Sequence, residues 1–175
     1  MIVWGGFHTD YPAGSGPFLN SGARYNPAND SWTPTSSGAN VPTVRYRHAA
    51  IWTGTEMIIW GGLGGFGSGG RYNPIADSWR TTSAAPNGTF VPVLGAAVVW
   101  TGTEMILWGG AADRSDGLRY NPVTDVWTPT STGANVPSPR GGHGGVDGDG
   151  DDRLGRPAHR QHHGRVGLVQ QRCAL

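Results

Sequence analysis

Three aspartates at alternate positions near the C-terminus are the residues best suited to metal chemistry. Asp147, Asp149 and Asp151 are separated by single glycines, as oxygen ligands are in an acidic calcium loop. An EF-hand-like loop also needs Gly at its sixth position and Glu at its twelfth, where this sequence has Asp152 and Ala158. We therefore interpret the run as a solvated acidic segment that binds calcium no tighter than about millimolar.

Three histidines and one cysteine follow in the same segment. The spacing of His159, His162 and His163 suggests a metal cluster. Nothing around them predicts the outer hydrogen bonds that orient the ligands of an evolved metal site. Cys173 is the single cysteine, which excludes an internal disulfide and a multi-cysteine zinc site. The sequence therefore predicts no metal site, no cofactor and no catalytic residue here.

Two glutamates and three arginines occupy equivalent places in different parts of the chain. Glu56 and Glu104 are the only glutamates, and each lies in a Thr-Gly-Thr-Glu segment. Paired carboxylates can catalyse proton transfer, but equivalent copies favour turn residues. Arg24, Arg71 and Arg119 each precede a tyrosine. They either line the mouth of a ligand channel or, as we predict, donate to backbone carbonyls of a neighbouring unit.

An internal repeat of about 48 residues explains these equivalences. The string HAAIWTGTEMIIWGG at 48–62 returns as GAAVVWTGTEMILWGG at 95–110, and ARYNPANDSW at 23–32 has counterparts at 70–79 and 118–127. All eight tryptophans fall at repeat positions: Trp52 and Trp100; Trp4, Trp60 and Trp108; Trp32, Trp79 and Trp127. Such spacing is typical of units that stack on their neighbours.

Each unit is predicted to form four short antiparallel strands. Apolar runs at 48–52 and 57–61 flank a turn in which Gly54 supplies positive φ, and the runs at 96–100 and 105–109 repeat this hairpin. Asn73-Pro74 and Asp77-Ser78 mark a second turn, since Asx side chains bond their own backbone. Met1 aligns with Met57, so we expect the chain to begin inside a hairpin.

The spacing of Gly-Gly, Tyr and Trp in each unit resembles the Kelch motif. The string WTGTEMIIWGG is similar to one in bacterial Kelch-repeat proteins. The resemblance covers residues 1–143 and implies an all-β fold, a partial Kelch-type β-propeller of about three four-stranded blades. A non-propeller array of hairpins is the alternative. The motif residues are Gly5, Gly6, Tyr25 and Trp32; Gly61, Gly62, Tyr72 and Trp79; Gly109, Gly110, Tyr120 and Trp127.

Residues 144–175 depart from the repeat and contain no aromatic residue. Synonymous codons for 144–157, advanced by one base, can encode AVWTGTEMIVWGG at the place where the repeat string is due. We therefore interpret this tail as a frameshift product, genuine or a sequencing error, and expect it to be irregular and disordered. The predicted domains are a propeller fragment over 1–143 and this tail.

Loops that differ between units are the candidate binding sites, because loops on a rigid scaffold carry function. The segment between Gly6 and Tyr25 is longer than its counterparts and holds aromatic and polar side chains suited to sugar or peptide contact. Tolerated loop variation is the alternative. The candidate residues are Phe7, His8, Asp10, Tyr11, Phe66, Asp113, Arg114 and Asp116.

Charge and hydropathy restrict the partners. Residues 1–143 carry eight Arg and eight acids, so no basic face for nucleic acid is expected. No run of 18 apolar residues predicts a membrane span, and no export signal is visible at the start. The resemblance to bacterial Kelch-repeat proteins implies a secreted or envelope-associated parent protein, and the sequence itself specifies no compartment.

These observations favour a non-catalytic binding or scaffolding module, with a protein or carbohydrate ligand, from a larger Kelch-repeat protein. The resemblance also admits a Kelch-propeller enzyme similar to galactose oxidase or sialic-acid mutarotase, and a truncated fragment without function is a third possibility. A copper oxidase would need a Tyr–Cys pair and clustered histidines. We expect the open end blades to pair with further blades of a parent chain or to self-associate.

Overall fold

The computed structural model describes residues 1–8, 17–86, 96–110 and 114–139. Asp10, Tyr11, Asp113 and the tail predictions lie outside these residues. Within them the chain forms eleven strands: β1 Ile2–Trp4, β2 Gly22–Asn26, β3 Ser31–Pro34, β4 Ala49–Trp52, β5 Met57–Trp60, β6 Gly69–Asn73, β7 Ser78–Thr81, β8 Ala97–Trp100, β9 Met105–Trp108, β10 Gly117–Asn121 and β11 Val126–Pro129. No helix suited to crossing a membrane occurs in these ranges.

The strands form three antiparallel sheets, each of which follows the chain order. Blade 1 contains β1–β3, blade 2 contains β4–β7 and blade 3 contains β8–β11. Ala49 pairs with Trp60 and Ala97 pairs with Trp108, which confirms both predicted hairpins. Among the described residues blade 1 has three strands and no counterpart of β4, as the alignment of Met1 with Met57 predicts.

Both predicted turns form as their residues dictate. Gly54 has φ of 104°, and the Thr53 hydroxyl accepts a hydrogen bond of 3.0 Å from the Glu56 amide. In the second turn the Asn73 side-chain oxygen accepts from the amides of residues 75 and 76 at 2.9 and 3.0 Å. Asp77 adopts φ of 47°, a left-handed conformation that short polar side chains tolerate.

The hydrophobic core lies between the sheets. Side chains alternate along β5, so that Met57 and Ile59 pack toward blade 1 while Ile58 and Trp60 pack toward blade 3. All four are buried, with at most 3% of their surface exposed. Blade 2 therefore has two apolar faces and depends on a neighbour at each.

Tryptophan pairs lie at the centre of both interfaces. The rings of Trp4 in blade 1 and Trp79 in blade 2 are 5.1 Å apart. The rings of Trp60 in blade 2 and Trp127 in blade 3 are 4.8 Å apart. By repeat position β1 is the equivalent of β5, the second strand of blade 2. In both interfaces the tryptophan of this strand packs on the tryptophan of the fourth strand of the next blade.

Polar contacts repeat with the same period. Arg24 donates to the Pro74 carbonyl at 2.5 Å, and Arg71 donates to the Pro122 carbonyl at 2.6 Å. These bonds link blade 1 to blade 2 and blade 2 to blade 3, which confirms the predicted role of these two arginines. Arg119, in the last blade, instead lies 3.5 Å from Glu104 of its own blade.

We expect Trp79→Ala to lower the free energy of unfolding by about 3–5 kcal/mol, because it empties a buried inter-blade position. Trp79 is 2% exposed and also packs against Tyr72, with ring centres 5.0 Å apart. Ile75→Ala in the same blade is the control, since Ile75 is 93% exposed. Urea unfolding followed by circular dichroism measures both, and equal losses would contradict the assignment of the core to the interfaces.

Candidate functional site

The antiparallel topology gives each blade two ends, which differ in the connections that they carry. The turn end carries the short turns at 53–56 and 101–104, together with the turns at 74–77 and 122–125. The loop end carries the connections between the second and third strands, at 61–68 and 109–116, and the longer one that joins β1 to β2. Every predicted binding residue that the structure describes belongs to the loop end.

An aromatic cluster occupies the loop end where blades 1 and 2 meet. Phe7 and Phe18 form an isolated β-bridge across the first loop, while Tyr46 bridges to Leu63 of blade 2. The Tyr46 ring lies 5.4 Å from the ring of Phe7 and 4.5 Å from that of Phe18. Backbone pairing therefore fixes the three rings, which are all half-buried.

Exposed apolar side chains extend this cluster. Val44 is 42% exposed, and its carbonyl lies so close to Gly64 that a side chain there would collide with it. Phe66, two residues further along the same loop, is 61% exposed. We call Phe7, Phe18, Val44, Tyr46 and Phe66 the aromatic patch.

Arg45 supports the loop that carries Phe66. Its side chain is 1% exposed, and one guanidinium nitrogen donates to the carbonyls of Gly61 and Ser68 at 3.1 and 2.8 Å. A second nitrogen donates to the Ser68 hydroxyl at 3.0 Å. Burial lowers the Arg45 pKa to about 10, so the group is still charged at neutral pH. Carbonyl dipoles thus take the place of a carboxylate and hold residues 61–68 in one conformation.

Sequence reasoning overlooked Arg45. It lies in the segment VRYRH, which the linker at 91–96, VPVLGA, does not repeat. The string VPTVR at 41–45 does return as VPSPR at 136–140, so an arginine in two of the three linkers was the available signal. Its neighbour Arg47 adopts φ of 55° and places its guanidinium carbon 5.7 Å from the centre of the Tyr46 ring. A cation therefore borders the aromatic patch.

Histidines differ in their surroundings. His48 packs edge-on against Trp4, with ring centres 5.7 Å apart. Burial and the charge of Arg45 lower the His48 pKa to about 4, so its imidazole is neutral at pH 7 and belongs to the packing. His8, one of the predicted binding residues, is exposed at the loop end.

The other predicted residues lie on blade 3. Arg114 and Asp116 form a bidentate ion pair with distances of 2.8 and 2.6 Å. The predicted residues that the structure describes thus form two groups, an aromatic group with His8 on blades 1 and 2 and this ion pair on blade 3. Asp10, Tyr11 and Asp113 are not among the described residues.

A cleft of about 430 Å³ opens at the turn end between blades 2 and 3. Glu56, Arg71, Trp100 and Asn121 are among its lining residues. Most of their polar atoms already have partners within the protein. The Asn121 side-chain oxygen accepts from the amides of residues 123 and 124, at 2.9 and 3.3 Å, and Arg71 donates to the Pro122 carbonyl.

The sequence predicted Glu56 to be a turn residue, and the structure shows that it also forms ion pairs. Its carboxylate forms ion pairs of 2.7 Å with Arg71 and 2.8 Å with Arg80, on the third and fourth strands of blade 2. Burial alone would raise the Glu56 pKa, but the guanidinium groups of Arg80 and Arg71 outweigh burial and hold the pKa below its ordinary value of 4.5. Glu56 is therefore a fixed anion and a poor proton donor.

Glu56→Gln should cost about 2–3 kcal/mol of unfolding free energy at pH 7, because it removes charge-assisted bonds to Arg71 and Arg80. The folded pKa is depressed, so this stabilisation is present above the ordinary value of 4.5 and is lost as pH falls through the lower folded value. The difference from wild type should therefore shrink as the pH is lowered below that ordinary value. Urea unfolding at several pH values measures it.

Glu104→Gln is the matched control for that experiment. Glu104 occupies the same turn of blade 3, but its 3.5 Å ion pair with Arg119 is more exposed, at 27% and 43% of the two side chains. We expect it to change stability by less than about 1 kcal/mol. A loss at Glu104 as large as that at Glu56, or one that persists unchanged in acid, would contradict the proposed role of the ion pairs.

Comparison with known proteins identifies the fold. No protein-family model matches the chain, and no curated protein matches its sequence. Solved structures do match, among them the structure of YjhT, with a TM-score of 0.60 and 18% sequence identity. The match covers 78% of this chain and 50% of that one, so the chain spans about half the length of this structural neighbour. At this identity the likeness extends to architecture, and the three sheets are about three blades of a partial β-propeller.

Proposed function

We propose that the chain is a non-catalytic binding module of the Kelch-repeat type, and that its ligand, a protein or a carbohydrate, contacts the aromatic patch at the loop end. The observation that carries this proposal is the exposure of Phe66, 61% of its surface, on the loop whose Leu63 pairs with Tyr46. A clustered exposed apolar surface on a soluble fold is a recurrent sign of a binding site.

Rigidity supports the same proposal. Arg45 donates hydrogen bonds to backbone carbonyls of the loop that carries Phe66 and so restrains this loop. Little conformational entropy therefore needs to be lost when a ligand binds. The patch also departs from the repeat, since the counterparts of Phe66 and Tyr46 in the other units are not aromatic. A surface that belongs to one position of a repetitive scaffold suits recognition better than a feature shared by every blade.

The charges near the patch favour an uncharged or weakly acidic ligand. Arg47 borders the Tyr46 ring, and His8 lies at the same end of blade 1. Aromatic faces next to one cation and one imidazole can accept the apolar face of a sugar ring or an apolar peptide side chain, with hydrogen bonds at the rim.

An enzyme of the Kelch-propeller kind is the alternative. The described lining of the turn-end cleft contains one carboxylate that could act in acid–base catalysis, that of Glu56. Its ion pairs with Arg71 and Arg80 keep this carboxylate ionised. That state favours binding over proton transfer. The likeness to YjhT concerns the fold and leaves both functions open.

Phe66→Ala should abolish ligand capture, or weaken it by roughly tenfold or more, because it removes the most exposed ring of the patch. The full chain is applied to a glycan array and to a peptide array, and dissociation constants for the hits are measured by calorimetry. Val123→Ala is the control, since Val123 is 90% exposed but lies at the turn end of blade 3.

Hits that survive Val123→Ala and disappear with Phe66→Ala would support the proposal, and the array that yields them gives the ligand class. Hits that both variants lose equally would indicate non-specific apolar adsorption and would contradict it. Conversion of a bound glycan into a new product, followed by NMR, would favour the enzyme instead.

A further inference from the structure

The two outer blades expose faces that neighbouring blades cover elsewhere in the chain. Trp32 in blade 1 is 52% exposed, whereas its counterparts Trp79 and Trp127 are 2% and 6% exposed. At the other end Trp108 is half-buried, whereas its counterpart Trp60 is fully buried. Both outer faces therefore hold a tryptophan whose equivalents are packed between sheets.

The interfaces within the chain show what each outer face fits. One side supplies a tryptophan of the second strand, an arginine of the third strand and an amide just after the fourth strand. The other side supplies a tryptophan of the fourth strand, a proline carbonyl and an aspartate. The amide contacts are those of Ser36 with Asp77, at 3.0 Å, and of Ser83 with Asp125, at 2.9 Å.

Blade 3 carries the first set of groups on its outer face, and blade 1 carries the second. By repeat position the first set is Trp108, Arg119 and Ser131, and the second set is Trp32, Pro27 and Asp30. The two outer faces are thus complementary to each other and not to themselves.

The outer face of blade 1, which carries the hydrogen-bond acceptors Pro27 and Asp30, already has the conformation seen in the interfaces within the chain. Asp30 has φ of 49° and accepts a hydrogen bond of 2.8 Å from Tyr25. Asp125 has φ of 56° and accepts one of 2.6 Å from Tyr120 while it also binds the Ser83 amide. Asp30 therefore has the conformation in which its equivalent receives a neighbouring blade. On the donor side Arg119 is 43% exposed, compared with 13% for Arg71.

We propose that two copies of this chain assemble head to tail into a closed ring of six blades. In this dimer Trp108 of each copy packs on Trp32 of the other, Arg119 donates to the Pro27 carbonyl, and the Ser131 amide donates to Asp30. Two such interfaces, related by a twofold axis along the centre of the ring, cover all four outer faces.

A closed ring of six blades agrees with the length of the structural neighbour YjhT. The match to YjhT covers 50% of that chain with three blades of this one, so a second set of three blades completes its length. Six blades lie within the range of about four to eight that propellers adopt. A head-to-tail interface gives a ring only when its rotation closes, and otherwise gives an open filament.

Sedimentation equilibrium and light scattering on the 175-residue chain test the proposal. The expected result is a species of twice the chain mass. Trp32→Ala and Trp108→Ala should each raise the dimer dissociation constant by roughly tenfold or more, and circular dichroism at low concentration checks that each variant is folded. Ile75→Ala, at a position that is 93% exposed and away from both outer faces, should leave the constant unchanged.

Mixing the two weakened variants distinguishes this ring from other dimers. A mixture of Trp32→Ala and Trp108→Ala can form a heterodimer in which one interface is fully wild type, so dimer should reappear at concentrations where each variant alone is monomeric. A face that pairs with itself would give no such recovery. Monomeric wild type at high concentration, masses that grow beyond the dimer, or no recovery on mixing would each overturn the proposal.

Discussion

The packing of a tryptophan from one sheet on a tryptophan of the next is the interaction on which this structure depends. Trp4 meets Trp79, and Trp60 meets Trp127, at ring distances of 5.1 and 4.8 Å. A single four-stranded sheet with two apolar faces cannot bury either face alone, so its stability comes from its neighbours. The strand period sends alternate side chains to opposite interfaces, and each blade is thereby tied to the one before and the one after.

Polar contacts then determine how the blades are oriented, and they differ between the two ends of the blades. Arg24 and Arg71 bind proline carbonyls of the following blade near the turn end, where Glu56 is also held by ion pairs. The loop end is organised differently, since Arg45 fixes the loop of Phe66 through carbonyl bonds and leaves the ring exposed. The same scaffold therefore has one end closed by ion pairs and carbonyl contacts and another that carries the exposed side chain of Phe66.

Much of the fold could be predicted because each copy of the sequence repeat corresponds to one blade. The spacing of Trp32, Trp79 and Trp127 and the Asn-Pro and Thr-Gly-Thr turns predict the strands, their pairing and the inter-blade arginines. Arg45 and the partners of Glu56 could not be predicted in this way. An arginine occurs at this position in two of the three linkers, Arg45 and Arg140, but its role depends on the loop that it contacts. The partners of Glu56 depend on which side chains of neighbouring strands approach each other. The strand pattern alone specifies neither. For the candidate site, the sequence singled out loops that lie at the loop end, but Val44 and Tyr46 join them only through folding.

A double-mutant cycle on Trp60 and Trp127 tests most directly whether interfaces, and not single sheets, are the units of stability. Each residue is changed to Phe singly and together, and urea unfolding gives the coupling energy. Trp60 and Trp79, on opposite faces of blade 2, form the reference pair. The interface pair should show coupling of about 1 kcal/mol, and the reference pair less than about 0.5 kcal/mol. Equal coupling in both pairs, or none between Trp60 and Trp127, would contradict this account.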